Sequence, residues 1–196
     1  MIKIGIDVGS TTAKLVAVDE NDNLLFSKYE RHNAKAKETI LSFLKELLSE
    51  IGDKDISVRI TGSIGMGISE KCSLPFVQEV VAAAKAIQKD YSHVTSMIDI
   101  GGEDAKVVFF KDAEATDLRM NGNCAGGTGA FIDQMAIILG VNIDELNQLA
   151  MNATQVYPIA SRCGVFCKTD IQNLIAKNVS RENIAASIFR AVAVQT

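Results

Sequence analysis

Two segments of the same design constrain the fold of this chain more than any other feature. In each, an apolar strand pattern ends at an aspartate, a short turn follows and a second strand returns: Asp-Val-Gly-Ser-Thr-Thr-Ala-Lys at 7–14 and Asp-Ile-Gly-Gly-Glu-Asp-Ala-Lys at 99–106. A carboxylate at a strand end can hold a hydrated Mg²⁺, and the backbone N–H groups of such a turn can surround a phosphate. One segment would fit an ordinary hairpin turn equally well, but two in one chain indicate a repeated phosphate-binding unit.

The periodicity around these segments predicts an α/β chain with two related halves. Alternating apolar residues predict strands at 1–7, 13–18, 24–30, 56–61, 95–100, 105–110 and 115–120. Helical spacing predicts helices at 35–51, 76–89, 128–140, 143–151, 165–178 and 181–196, with Pro75 at the start of the second. Asn142 or Asp144 is a candidate cap for the helix at 143, and Ser180 for the last helix. Because hairpin-like strands recur on both sides of residue 93, we expect two related domains, 1–93 and 94–196.

Composition excludes several classes of partner. The net charge of −4 and the scattered lysines and arginines offer no basic field for nucleic acid or an anionic membrane. No apolar run reaches the roughly 18 residues of a membrane span, and the first residues lead into a strand pattern without a signal peptide, so we expect a cytoplasmic protein. The last residues lie inside an amphipathic pattern without a stop signal, so we also expect the chain to be part of a longer protein.

A further motif places a thiol in front of a glycine-rich turn. Residues 123–129 are Asn-Cys-Ala-Gly-Gly-Thr-Gly, and an apolar helical pattern follows directly. Glycines allow a close approach to a ligand, and the field at a helix N-terminus stabilises a thiolate, which is a good metal ligand. A buried cysteine before an ordinary loop would produce the same pattern. The other cysteines are at 72, 163 and 167, and metal binding, catalysis and burial remain open for them.

With Arg-Cys-Gly-Val-Phe at 162–166, these motifs resemble known families. The two aspartate loops resemble those of the ASKHA superfamily of acetate and sugar kinases, Hsp70 and actin. All four motifs together are similar to those of the BadF/BadG/BcrA/BcrD-type ATPases, which include activators of 2-hydroxyacyl-CoA dehydratases. The resemblance implies an α/β, ribonuclease H-like ATPase fold, with a first lobe at 1–93 and an incomplete second lobe at 94–196.

The resemblance also implies cofactors and partners. ATP with Mg²⁺ would bind at the two loops, and a 4Fe-4S cluster would bridge a homodimer through Cys124 and Cys163 of each subunit. ATP hydrolysis would drive one electron into a 2-hydroxyacyl-CoA dehydratase-type partner. Cys167 does not match a family ligand, so we expect a buried or bystander thiol. The family's C-terminal adenosine motif is not found after Val165, so we expect weak nucleotide affinity and weak or absent ATPase activity in this chain.

The predicted site residues follow from the loops and from the resemblance. Asp7 and Asp99 are the predicted catalytic carboxylates, and Glu103 is the candidate that orients the attacking water. The predicted nucleotide-binding residues are Gly9, Ser10, Thr11, Thr12, Lys14, Gly101, Gly102, Asp104, Gly126 and Gly127. The predicted cluster ligands are Cys124 and Cys163, whereas Cys72 is interpreted as structural and His32 and His93 as surface or loop residues.

Two other functions fit part of the sequence. A small-molecule kinase of the same superfamily, acting on a sugar or a carboxylate, would use Asp7 and Asp99 without either predicted cluster cysteine. A regulatory module that has lost ATPase activity would keep the fold without a response to Mg·ATP. Substitution of Cys124 distinguishes the kinase from the activator, and a nucleotide-dependent change in the whole protein distinguishes the activator from the regulatory module.

Overall fold

The computed structural model describes residues 1–111, 114–121, 126–161 and 163–196, which divide into two compact units, Met1–His93 and Val94–Thr196. The first unit contains β1 (Ile2–Val8), β2 (Thr12–Val18), β3 (Leu24–Arg31), α1 (Ala36–Ile51), β4 (Ile56–Thr61), α2 (Gly65–Cys72) and α3 (Glu79–Asp90). Its sheet has the order β3-β2-β1-β4, and β4 runs parallel to β1. A strand that pairs in parallel with its neighbour must be reached by a long connection. For β4, the connection includes α1, which lies between β3 and β4 in the chain.

The core of the first unit follows from the periodicity of its elements. Alternate side chains of β1 are buried, as expected for a strand with one face on a core. On α1, the buried residues are spaced at three and four positions, and they belong to the same apolar cluster as β1 and β2. The buried side chains of β1 and α1 are Ile2, Ile4, Ile6, Val8, Ile40, Phe43 and Leu47.

The segment before α3 differs from the prediction. Pro75 was expected to start a helical stretch over residues 76–89, but the helix begins at Glu79. Residues 75–77 instead pair with β4: the Ile60 N–H donates to Pro75 O (3.0 Å), and the Val77 N–H donates to Ile60 O (2.8 Å). This long-range pairing holds the segment extended, so the predicted helix start was wrong. The short helix α2 was not predicted, because its glycines suggested only a break after β4.

The second unit begins with an antiparallel meander. Its strands are β5 (Ser96–Ile100), β6 (Ala105–Lys111) and β7 (Glu114–Asn121), in the sheet order β5-β6-β7. The predicted strands agree with these bounds within one residue at each end. The meander matches the antiparallel order β1-β2-β3 of the first unit, which is the relationship that the repeated motif predicted.

In the described part of the second unit, the meander is followed by the helices α4 (Gly129–Leu139), α5 (Ile143–Met151), α6 (Gly164–Ala176) and α7 (Arg181–Gln195). Their apolar faces form one core, which includes Phe131, Met135, Leu146, Ile171, Ile184 and Ile188. Asn142 caps α5: its side chain accepts from the Glu145 N–H (2.8 Å), and its own N–H donates to the Glu145 carboxylate (2.9 Å). Ser180 caps α7. Both predicted caps are therefore confirmed, and the residue that caps α5 is Asn142, not Asp144. No helix in the described part of the chain is both long and apolar enough to cross a membrane.

Candidate functional site

The first aspartate loop is a closed hairpin with an ion pair at its base. Asp7 at the end of β1 lies opposite Lys14 on β2, and the Lys14 Nζ is 2.7 Å from the Asp7 Oδ2. The Gly9 N–H donates to Thr12 O (3.0 Å), which closes the turn. Burial acts to lower the pKa of Lys14, but the hydrogen bond and the charge of Asp7, with smaller contributions from Tyr29 and Glu79, raise it overall. Lys14 is therefore a cation at neutral pH.

Gly62 makes the approach of β4 to this loop possible. Its φ is +90°, and a Cβ at this position would lie 2.4 Å from Val8 O and 2.5 Å from the Asp7 Oδ1. The Ile64 N–H donates to the same Val8 carbonyl (2.9 Å). Only a residue without a side chain fits here without displacing the aspartate. Gly62 was not among the predicted site residues, although a glycine directly after a strand was the available signal.

His32 contacts the backbone of the first loop. The residue is 4% exposed, its Nε2 is 3.0 Å from Gly9 O, and its backbone N–H donates to Thr11 O (3.2 Å). Because Gly9 O can only accept, this contact assigns the proton to Nε2. His32 lies in the loop after β3, as expected, but it is buried and not at the surface. The sequence contained no signal for this role, since His32 reaches the loop only when β3 pairs with β2.

The second aspartate loop has the same register but a different ion pair. Asp99 on β5 lies opposite Lys106 on β6, in the arrangement of Asp7 and Lys14. The Lys106 Nζ, however, is 4.0 Å from the Asp99 Oδ2 and 2.9 Å from the Asp104 Oδ2. Glu103 is exposed at the tip of this loop. Lys106 was not assigned to the site, although it occupies the position of Lys14 in the repeated motif.

The second loop is bonded directly to the start of α4. The Gly129 N–H donates to Gly101 O (2.7 Å), and the Ala130 N–H donates to Gly102 O (3.0 Å). Two of the four N–H groups that a helix leaves unpaired at its N-terminus are thus taken by carbonyl groups of the loop. In front of the helix, Gly126 and Gly127 are both buried, and Gly127 has a φ of +81°.

Of the two predicted cluster ligands, the structure describes Cys163. Cys124 lies outside the described residues. Cys163 is half-buried and forms the N-cap of α6 with an extended backbone. Two large apolar side chains follow in the first turn of α6, and both are exposed: Val165 by 71% and Phe166 by 67%. Cys163 is therefore only partly buried and is accompanied by apolar surface.

Cys167 differs sharply from Cys163. Its side chain is 0% exposed within the helical core, so the predicted burial is confirmed. Burial, with a further contribution from the charge of Asp170, raises the pKa of the Cys167 thiol to about 11. Cys72, interpreted as structural, is exposed at the end of α2.

We expect alkylation to separate these thiols. At a pH below 9.0, iodoacetamide should modify Cys72 in the native protein and leave Cys167 unmodified, because the reactive species is the thiolate. The pKa of the Cys167 thiol is higher in the folded than in the unfolded protein. The contribution of this protonated thiol to the free energy of unfolding is therefore complete below pH 9.0, and it is lost as the pH rises towards 11. Peptide mass spectrometry with and without urea measures the labelling; equal native labelling of both residues would contradict the assignment.

The chain is similar to known proteins over nearly its whole length. The model of the BadF/BadG/BcrA/BcrD ATPase family matches residues 4–196. The (R)-2-hydroxyglutaryl-CoA dehydratase activating ATPase of Acidaminococcus fermentans is 29% identical over 192 residues, covering 97% of this chain and 74% of that protein. The activator of lactoyl-CoA dehydratase of Anaerotignum propionicum is 29% identical over 195 residues, covering 98% of this chain and 75% of that protein.

A solved structure extends the similarity to the whole described fold. The activator of the 2-hydroxyisocaproyl-CoA dehydratase from Clostridium difficile, with bound ADPNP, matches with a TM-score of 0.89 and 29% identity, covering 100% of this chain and 73% of that chain. The predicted fold class is therefore confirmed as the mixed α/β fold of the actin and Hsp70-like ATPases. On the family match and these similarities, the chain belongs to the BadF/BadG/BcrA/BcrD ATPase family.

Proposed function

We propose that this chain is the nucleotide-binding part of an ATP-dependent activator that delivers one electron to a 2-hydroxyacyl-CoA dehydratase-type partner. The observation that carries the proposal is the repeated aspartate–lysine loop, Asp7 with Lys14 and Asp99 with Lys106, in a member of an ATPase family. The activator names of the relatives favour this function over a small-molecule kinase. Residues 1–93 would form the first ribonuclease H-like lobe, and residues 94–196 the beginning of the second.

Each aspartate loop carries groups that would contact a Mg·nucleotide. Asp7 and Asp99 are partly exposed, by 22% and 33%, so both carboxylates are accessible to a hydrated Mg²⁺, which prefers few carboxylate ligands and several waters. The backbone of 9–12 and the glycines at 101 and 102 would contact phosphate oxygens, and Lys14 would offer its charge to the same group. Glu103, exposed at its loop tip, would orient water. The ADPNP bound to the Clostridium difficile activator supports a nucleotide site in this fold.

A 4Fe-4S cluster would be held between two copies of the chain by Cys124 and Cys163 of each. The partly buried Cys163 fits a ligand role, because thiolates are the usual ligands of such clusters, whereas Cys167 is buried in the helical core. The exposed Val165 and Phe166 beside Cys163 fit an apolar contact around a two-fold axis. When bound, the cluster would store and transfer the single electron, and the chain's own part is to supply thiolates and to keep water away from them.

Binding of Mg·ADPNP tests the nucleotide part of the proposal. Replacement of Asp7 or Asp99 by Asn removes a charge without changing side-chain size, and each should weaken binding of Mg·ADPNP by about tenfold or more. Isothermal titration calorimetry in the presence and absence of Mg²⁺ measures the affinities. The control is Asp53→Asn, an exposed aspartate of the first unit outside either loop. Wild-type protein that does not bind Mg·ADPNP, or variants that bind like the control, would contradict the proposal.

A further inference from the structure

The second loop contains a buried lysine to which the proposed reaction assigns no role. The two copies of the motif use their lysines differently: Lys14 is 43% exposed and bonds to the strand-end Asp7, whereas Lys106 is 7% exposed and lies closer to Asp104 than to the strand-end Asp99. An ammonium group in a buried position requires a close counter-charge. The Asp104 carboxylate, at 2.9 Å, supplies it.

The ion pair fixes the side chain of Asp104 against the loop backbone. A Cβ on Gly101 would lie 2.5 Å from the Asp104 Oδ1, so the carboxylate occupies the space beside Gly101. The carbonyl of Gly101 in turn accepts the Gly129 N–H at the start of α4. The Lys106 ammonium group is therefore connected through Asp104 to the glycine pair, Gly101 and Gly102, and through the carbonyl group of Gly101 to α4.

We propose that Lys106 is a positioning residue of the second loop. It holds Asp104 beside Gly101, and it thereby keeps the carbonyl groups of Gly101 and Gly102 hydrogen-bonded to the first two N–H groups of α4. Because Lys106 lies closer to Asp104 than to Asp99, the Asp99 carboxylate stays available to a divalent cation. The role in cation and nucleotide binding rests on the proposed function. The role in holding the loop on the helix does not, because it concerns hydrogen bonds within the second unit.

Two readouts on one variant separate these roles. Lys106→Met removes the charge and keeps much of the apolar stem. We expect hydrogen exchange of the Gly129 and Ala130 amides, followed by NMR in the full chain without nucleotide, to accelerate by about tenfold or more as their acceptors move. The affinity for Mg·ADPNP should fall by about tenfold, because the glycine pair and Asp99 lose their alignment. The matched control is Lys111→Met, an exposed lysine on the same strand, which should change neither.

Replacement of the partner provides the second arm. Asp104→Asn should accelerate the same two amides, and Lys106→Met with Asp104→Asn should accelerate them no more than either change alone, because the pair acts as one unit. If Lys106→Met does not fold, Asp104→Asn, at a partly exposed position, decides the question. Unchanged hydrogen exchange of the Gly129 and Ala130 amides in these variants would overturn the proposal. Faster exchange of these amides with an unchanged affinity for Mg·ADPNP would overturn the role of Lys106 in nucleotide binding. Absence of nucleotide binding by the wild type would overturn the proposed function, while the exchange data would still decide whether Lys106 holds the loop.

Discussion

Cys163→Ser is expected to abolish cluster binding. Anaerobically reconstituted wild-type chain should contain about four irons and four acid-labile sulfides per two chains, with the broad visible absorption of a 4Fe-4S cluster. The serine variant should lose nearly all of both, because each chain would supply a single thiolate and a hydroxyl is a poor replacement for a thiolate as an iron ligand. Iron and sulfide analysis together with the visible spectrum measures the effect.

The other cysteines provide the controls for this experiment. Cys72→Ser changes an exposed residue of the first unit and should retain full iron. Cys124→Ser should behave like Cys163→Ser. Iron retained in both of these variants would contradict the cluster ligands, and iron-free wild-type protein would contradict the cluster itself in this chain. In that case, nucleotide binding without iron would favour the small-molecule kinase.

Gly62→Ala is expected to damage the first loop and the first unit together. The backbone there has a φ of +90°, which costs an L residue about 1–3 kcal/mol. The new methyl group would also overlap Val8 O and the Asp7 carboxylate, and overpacking of this kind costs a further ~1–3 kcal/mol. Urea unfolding should show the loss of stability. Because Asp7 must move to make room, binding of Mg·ADPNP should weaken by about tenfold or more.

A glycine nearby serves as a matched control. Gly67 lies within α2, its Cβ position is open, and its φ is negative. Gly67→Ala should therefore leave nucleotide binding unchanged and increase stability by about 0.5–1 kcal/mol, since alanine is the better helix former. Equal effects of the two substitutions would show that the close contact at Gly62 does not position Asp7.

Much of the fold and part of the site were predictable because they depend on local pattern. The strands of both meanders, the long helices and the caps at Asn142 and Ser180 follow from periodicity and from hydrogen bonds between residues a few positions apart. The two aspartate loops were predictable for the same reason, since a strand end, a turn and a returning strand are contiguous in the chain.

Three features that were missed or misread depend on contacts between distant segments. Pro75 was assigned to a helix because local preference favours proline in a first turn, yet pairing with β4 held the segment extended. His32 was isolated in the sequence and became buried against Gly9 only through strand pairing. The close approach of Gly62 to Asp7 likewise requires the parallel pairing of β4 with β1.

The sequence by itself determined the repeated loop, the family resemblance and the candidate carboxylates and thiols, because these are properties of residue type and short spacing. Only the tertiary structure decided how the two lysines are engaged: the partly exposed Lys14 bonds to Asp7, whereas the buried Lys106 lies closer to Asp104 than to Asp99. The sequence offers Lys106 both carboxylates, because Asp104 stands where the first loop has Thr12. The packing of the second unit buries the ammonium group, and a buried ammonium group needs a close counter-charge, which Asp104 supplies.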